Sequence, residues 1–470
     1  MNENMSDLII SVSGLRGVVG ETLTPAVAMS YAAAFAGMLP AGGVVITRDS
    51  RASGSMFADA IHAALNAVGR NTFDAGITAT PTTGILVRQL SAAGGIQISA
   101  SHNPSEFNGM KLFSSEGRVV TREIGENVLR RYNEGKLNWK DSESIGKRIE
   151  CKNTITEHQK AIIETINLNA IAERKFRVLL DANHGAGALL GAWLFDELEC
   201  DVTIVGEEPT GHFLHSPEPT RENLSRICDV VKCGKFDVAF CQDPDADRVA
   251  VIDELGRYIG EELTVAISLE HILRVAGGEY NLDVDLSGAQ SPCPFKREKG
   301  AVVINCATSR VNEDIAKRYN VPIYRSAVGE ANVVDLMLKT GAVFGGEGNG
   351  GPIDPAVGLV RDSFVGMVQI LDAMALSGKK ISEIANNLPQ YSLVKRKVNI
   401  DSSKVPLLLD KVAESFKSLS CDRLDGLRID HGNAWVLLRG SNTEPIIRIF
   451  AESSDEKRSN ELCDEIENLI

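Results

Sequence analysis

At roughly 150 residues per domain, the chain of 470 residues has room for about three domains and several buried cores, which excludes a lone binding module. Its 49 Lys and Arg against 63 Asp and Glu leave a formal charge of −14, so nucleic acid and anionic membranes are repelled at long range and any phosphate must be gripped locally. A hydrophobic content of 43% with 24% charged residues and 42 glycines fits globular domains with many tight loops, not a disordered or fibrous chain.

Residues 25–38, Ala-rich and opened by Thr24-Pro25, predict a buried helix and not a signal peptide, because no basic segment precedes them. Three β-branched runs follow along the chain, at 43–46, 177–180 and 301–304. Each leads into a polar loop and then a helical pattern, reaching residue 67, about 198 and about 319 respectively, as in α/β domains. Their regular spacing suits repeated units of similar plan, although their sequences alone do not establish duplication. Polar, turn-rich passages place boundaries near 152 and 259. After a helix at 381–388, strands are predicted at 391–400, 434–438 and 446–450, and an acidic helix at 454–470 closes a smaller α+β unit. The nine cysteines are scattered, with no C-x-x-C pair, which points to reduced thiols and a cytoplasmic chain. No run of 18 apolar residues is present to span a bilayer.

Four constellations carry possible chemistry. Ser101 ends a strand that breaks at Pro104, with His102 and Lys111 close enough in sequence to polarise its hydroxyl or to neutralise a phosphate on it. A Ser-rich turn is the alternative, and without a G-x-S-x-G elbow a serine hydrolase is unsupported. Asp243, Asp245 and Asp247 alternate after the apolar run 236–240, a spacing that lets three carboxylates converge on a hard divalent cation beside Arg248. A solvated acidic turn competes with that reading. An EF-hand does not, since Arg248 stands where its turn requires glycine. Glu347 and Asn349 lie among five glycines between 345 and 351, in a loop suited to sugar hydroxyls or to a plain turn. Arg439, Ser441, Asn442, Thr443 and Arg448 can surround a phosphate with charge-assisted hydrogen bonds, or form a polar hairpin.

In this order, the segments resemble those of the α-D-phosphohexomutases over essentially the whole chain. Ser13-Gly14-Leu15-Arg16-Gly17 is similar to that family's N-terminal loop and Ser99-Ala100-Ser101-His102-Asn103-Pro104 to its phosphoserine loop. Asp243-Pro244-Asp245-Ala246-Asp247-Arg248 resembles its magnesium loop, residues 346–350 its sugar loop, and residues 439–445 its phosphate loop. The resemblance implies three similar mixed-sheet α/β domains, 1–152, 153–258 and 259–385, plus a smaller C-terminal α+β domain, 386–470, around a central cleft. It implies interconversion of hexose 6-phosphate and 1-phosphate through phosphorylated Ser101, with a hexose 1,6-bisphosphate as intermediate and activator. Mg2+ would sit on Ser101, Asp243, Asp245 and Asp247, with Arg16, His102 and Lys111 neutralising phosphate and moving protons. Arg248, Glu347, Asn349, Arg439, Ser441, Asn442, Thr443 and Arg448 would bind substrate.

Asn349 and Gly351 stand where many members carry serine and histidine, and no basic residue directly follows Gly329. The N-terminal and third-domain loops are nearest those of phosphoglucosamine mutases, with phosphomannomutase/phosphoglucomutase the alternative. The implied partner is a small phosphorylated sugar, with neither nucleic acid nor membrane involved, and the implied state is a cytoplasmic monomer or homodimer. A distant alternative, a non-catalytic calcium- or sugar-phosphate-binding protein, predicts no phosphoserine and no turnover.

Overall fold

The structure, a computed structural model, describes residues 8–11, 13–135, 137–280, 298–441 and 445–470. The β-branched runs become the strands Val44–Arg48, Arg177–Asp181 and Val302–Asn305, each the first strand of an α/β unit. The three units repeat one topology. The first strand is central, the second (Thr72–Ile77, Asp201–Val205, Ile323–Ser326) runs parallel on one side, and the third (Gly94–Ile98, Val238–Gln242, Phe344–Glu347) parallel on the other. A fourth strand returns antiparallel against the third: Phe107–Ser114, Val249–Asp253 and Gly351–Ile353. The serine, aspartate and glycine loops are therefore equivalent, each being the hairpin loop between third and fourth strands. That position lies at the carboxyl end of a parallel strand, where open α/β sheets bind ligands.

The first sheet has seven strands, extended by Gly14–Val18 and Ile9–Ser11 on one edge and Arg148–Glu150 on the other. The predicted N-terminal helix is Pro25–Ala36, with Thr24 Oγ1 accepting from Val27 N as N-cap. The last unit is a five-stranded antiparallel sheet in the order Ser392–Asn399, Ile446–Ser453, Trp435–Gly440, Leu427–Asp430, Ser420–Asp422. Its closing helix begins two residues later than the acidic pattern suggests, at Glu456, because Asp455 accepts from Arg458 N and caps it.

One apolar core runs through the second and third units, with Phe195 stacked on Phe240 at 6.2 Å and the helix Ser363–Ser377 buried from Ser363 to Met374. The first and last units have separate cores. The last docks on the third through a small cluster of Cys306, Trp435 and Leu437 and through polar contacts such as Arg428 Nη1 donating to Cys306 O at 2.7 Å. Among the described residues no helix is long and apolar enough to cross a membrane.

His62 gives the first sheet a pH-sensitive support. It is 2% exposed in the helix Gly54–Ala67, with Nδ1 2.7 Å from Thr72 Oγ1. Burial, then the nearby charge of Arg148, pushes its pKa from 6.5 down to about 4. The unfolded chain thus binds a proton that the folded domain refuses. The stability this contributes is complete above pH 6.5 and is lost as pH falls towards 4, by up to about 3 kcal/mol. His62→Gln should flatten that acid limb when urea unfolding of the first domain is followed between pH 4 and 7; an unchanged acid limb would refute it.

Candidate active site

The serine loop is built around Arg51. Its guanidinium donates to the carbonyl oxygens of Ser101, Asn103, Pro104 and Phe107 at 2.6–3.1 Å, and its Nε to Asp49 Oδ2 at 3.0 Å. Asp49 Oδ2 also accepts from Ser99 Oγ at 2.7 Å, and Ser99 Oγ accepts from Ser101 N at 2.8 Å. This scaffold holds Ser101 at φ 50, a left-handed conformation that serine adopts only when its surroundings enforce it. Gly109 lets the Arg16 strand come alongside, since a Cβ there would lie 2.4 Å from Leu15 O and 2.8 Å from Ser99 O.

Ser101, 1% exposed, aims Oγ at Asp243 Oδ2 (2.9 Å) and lies 3.3 Å from His102 Nδ1. Burial, then the charges of Arg248 and Arg16, holds His102 well below its ordinary pKa, as a neutral imidazole. Arg16 Nη1, from the strand Gly14–Val18, donates to Asn103 Oδ1 at 3.0 Å and so is tied to the serine loop.

The three aspartates are fully buried, and one carboxylate oxygen from each lies within 4.8 Å of the other two. Each is partly held. Asp243 Oδ1 accepts from Arg248 N at 3.1 Å. Asp245 Oδ2 accepts from Thr80 Oγ1 at 2.5 Å and from Lys111 Nζ at 3.4 Å. Asp247 Oδ2 accepts from Lys111 Nζ and Arg361 Nη2, both at 2.7 Å. Asp245 Oδ1 and Asp247 Oδ1 are buried without a hydrogen-bond partner, an unusual cost unless a cation takes them. Burial, then repulsion from Asp245 and Asp247, pushes the Asp243 carboxyl well above its usual range. For Asp247, burial pushes upward but Arg361, Lys111 and Arg248 outweigh it and hold the carboxyl far down. The donor set of hard oxygens suits a divalent cation such as Mg2+.

In the glycine loop, Glu347 is 3% exposed; Oε1 accepts from Asn305 Nδ2 (2.7 Å) and Gly329 N (2.8 Å), and Oε2 from Arg361 Nη1 (2.8 Å). With its amide turned to satisfy both ends, Asn349 accepts from Arg361 Nη1 at 3.0 Å and donates to Glu347 O at 3.2 Å. Gly350, at φ 81, docks this loop on the aspartate loop: its carbonyl accepts from Val249 N at 2.9 Å, and a Cβ would lie 2.3 Å from Val249 O.

From the last unit, Arg439 Nε donates to Asp425 Oδ2 (2.7 Å), which also accepts from Val328 N (2.9 Å), next to the Gly329 that holds Glu347. Register sets Arg439 opposite Arg448, and Arg448 opposite Lys397, so three cations line up across neighbouring strands. Like charges directly opposed destabilise a sheet, and Asp425 offsets part of this row through Arg439. Ser441 N donates to Ile446 O at the end of that row. Asn442 and Thr443 lie outside the described residues.

The fold thus gathers Arg16, Ser101, His102, Lys111, the three aspartates and Arg248 in one buried centre, with Glu347 and Asn349 joined to it by Arg361. Arg51, Asp49, Thr80, Arg361 and Lys397 were missed by motif reasoning. Only Asp49 and Arg51 left a signal, as polar residues just after a first strand.

Residues 8–139, 156–256, 291–391 and 393–469 match, in order, the alpha/beta/alpha domains I, II and III and the C-terminal domain described as Phosphoglucomutase/phosphomannomutase. A Thermococcus kodakarensis protein named Phosphoglucomutase/phosphomannomutase is 35% identical over 459 residues, 95% of each chain. A Pyrococcus horikoshii protein named Probable phosphoglucosamine mutase is 30% identical, covering 97% of this chain and 96% of its own. Among solved structures, a Burkholderia thailandensis family member superposes with a TM-score of 0.83 at 22% identity, covering 98% and 97% of the two chains. The N-acetylphosphoglucosamine mutase of Aspergillus fumigatus, solved with GlcNAc-6P and magnesium, shares the fold at a TM-score of 0.59 and 13% identity over 100% and 96%. Fold and site together define an enzyme that transfers phosphate within a sugar phosphate. The chain belongs to the phosphoglucomutase/phosphomannomutase family, a group of α-D-phosphohexomutases.

Proposed function

We propose that this phosphohexomutase uses Ser101 as its phosphoryl carrier and prefers glucosamine phosphate. The observation that carries the assignment is Ser101 Oγ held 2.9 Å from Asp243 of the carboxylate triad, which Arg361 links through Asp247 to Glu347. The phosphoryl group passes from Ser101 Oγ to the free hydroxyl of a sugar monophosphate, and the resulting bisphosphate turns over and returns its other phosphate to Ser101. Asp243, Asp245 and Asp247, with the phosphoserine, would hold Mg2+, which when bound withdraws charge from the transferring group. His102, 3.3 Å from Ser101 Oγ, would exchange the hydroxyl proton. Arg16, Lys111 and Arg248 offset phosphate charge. Glu347 and Asn349 take ring hydroxyls, while Arg439, Ser441, Asn442, Thr443 and Arg448 grip the idle phosphate, with Lys397 aligned beside them.

The sugar choice rests on the loop resemblance and on several archaeal relatives near 30% identity named phosphoglucosamine mutase. The 35% identical relative supports a second reading, phosphoglucomutase/phosphomannomutase. A panel of glucosamine, glucose and mannose phosphates, each with magnesium and a trace of the matching 1,6-bisphosphate, separates them by kcat/KM. Highest kcat/KM for glucosamine phosphate is expected. A preference for mannose or glucose selects the second reading, and no isomerisation of any would overturn both.

A further inference from the structure

Arg361 lies where the aspartate and glycine loops meet. It is 6% exposed, with Nη2 on Asp247 Oδ2, Nη1 on Glu347 Oε2, and its backbone N on Glu330 Oε1 at 2.7 Å. Glu330 Oε2 also sits 3.7 Å from Arg361 Nε. The next residue, Asp362, caps the helix Ser363–Ser377 through Phe364 N and Val365 N, and its Oδ2 is 2.7 Å from His158 Nε2. His158 Nδ1 in turn is 2.9 Å from Thr82 Oγ1. The segment carrying Arg361 is therefore tied, through Glu330 and the chain of Asp362, His158 and Thr82, to side chains of all three α/β domains.

From that place the two arms of one planar fork hold two carboxylates with different work. A guanidinium donates in fixed directions, so a shift of either carboxylate is felt by the other, which a lysine could not transmit. Asp247 Oδ1 accepts no hydrogen bond and lies 3.6 Å from Arg248 Nε, so it remains available to a cation while Oδ2 is taken by Lys111 and Arg361. Glu347 keeps its orientation because Arg361, Asn305 and Gly329 N surround it.

We propose that Arg361 is a positioning residue that couples the cation-binding carboxylates to the sugar-binding loop, so that occupancy of either site sets the aim of the other. A cation on the triad takes up charge that Arg361 otherwise neutralises and leaves more of its fork to Glu347 and Asn349. By reciprocity, a sugar engaged by Glu347 alters cation affinity by the same factor.

The sugar half of this statement rests on the phosphohexomutase reading, but its test uses no sugar. Mn2+ affinity is measured by electron paramagnetic resonance on the full chain and on Arg361→Gln, Glu347→Gln and the double variant. Coupling through Arg361 predicts that the effects of the single changes fail to multiply, the double variant departing from their product by about fivefold or more. Agreement with the product within about twofold would overturn the proposal, whatever the variants' melting temperatures. Should Arg361→Gln not fold, Arg361→Lys keeps the charge, loses the fork and completes the same cycle. A wild-type chain that isomerises no hexose phosphate yet shows the non-additivity would remove the mutase reading and leave the coupling standing.

Discussion

Ser101→Ala is expected to remove the covalent phosphate and to lower kcat by a factor on the order of 10^4 or more, as loss of a nucleophile does elsewhere. A loss of that size corresponds to roughly 5.5 kcal/mol of barrier. Folding cannot account for it. The substitution deletes two contacts of Ser101 Oγ, with Asp243 Oδ2 and His102 Nδ1, together worth about 2 kcal/mol, and alanine meets at φ 50 the same strain that serine already bears. The Arg51 scaffold grips backbone carbonyls and stays intact. Intact-mass and phosphopeptide measurement, beside a urea melt, separate the two effects. Phosphate retained on the chain would move the carrier elsewhere, and turnover within tenfold of wild type would remove Ser101 from the chemistry.

The motifs led to Ser101 and the aspartates because each is a short contiguous run whose chemistry is local. Ser101 breaks its strand at Pro104, and the aspartates alternate on one turn. What supports them was not legible, because support comes from residues distant along the chain. Thr80 reaches Asp245 across 165 positions and Arg361 reaches Asp247 across 114, contacts that exist only once sheets from different domains face one another. The repeated α/β plan was visible as three β-branched runs. The equivalence of the three functional hairpin loops was not, since it depends on strand order and so on pairings that no local pattern encodes. The absence of a basic residue after Gly329 has a structural counterpart in Glu330, whose carboxylate accepts from Arg361 N and lies 3.7 Å from Arg361 Nε, a cation supplied by a different segment.

Asp245→Asn should separate stability from catalysis in the opposite way. In metal-free protein the variant is expected to be as stable as wild type or more so. Three buried carboxylates crowd one site, and burial followed by mutual repulsion already drives the Asp243 carboxyl upward; removing one charge relieves that repulsion. The Thr80 hydroxyl keeps an acceptor in the new amide oxygen. With magnesium present the order reverses. A cation at about 100 times its dissociation constant stabilises wild type by about 2.7 kcal/mol, and a site lacking one hard ligand forgoes most of that gain. Turnover should fall by a factor on the order of 10^3, the scale of losing one preorganised electrostatic contribution to a charged transition state. Paired melts with and without magnesium, beside kcat on the preferred hexose phosphate, decide the matter. A variant that keeps the full magnesium shift would show that the orphaned oxygen Asp245 Oδ1 is not a ligand, and the cation would then have to be sought among Asp243, Asp247 and the phosphoserine alone.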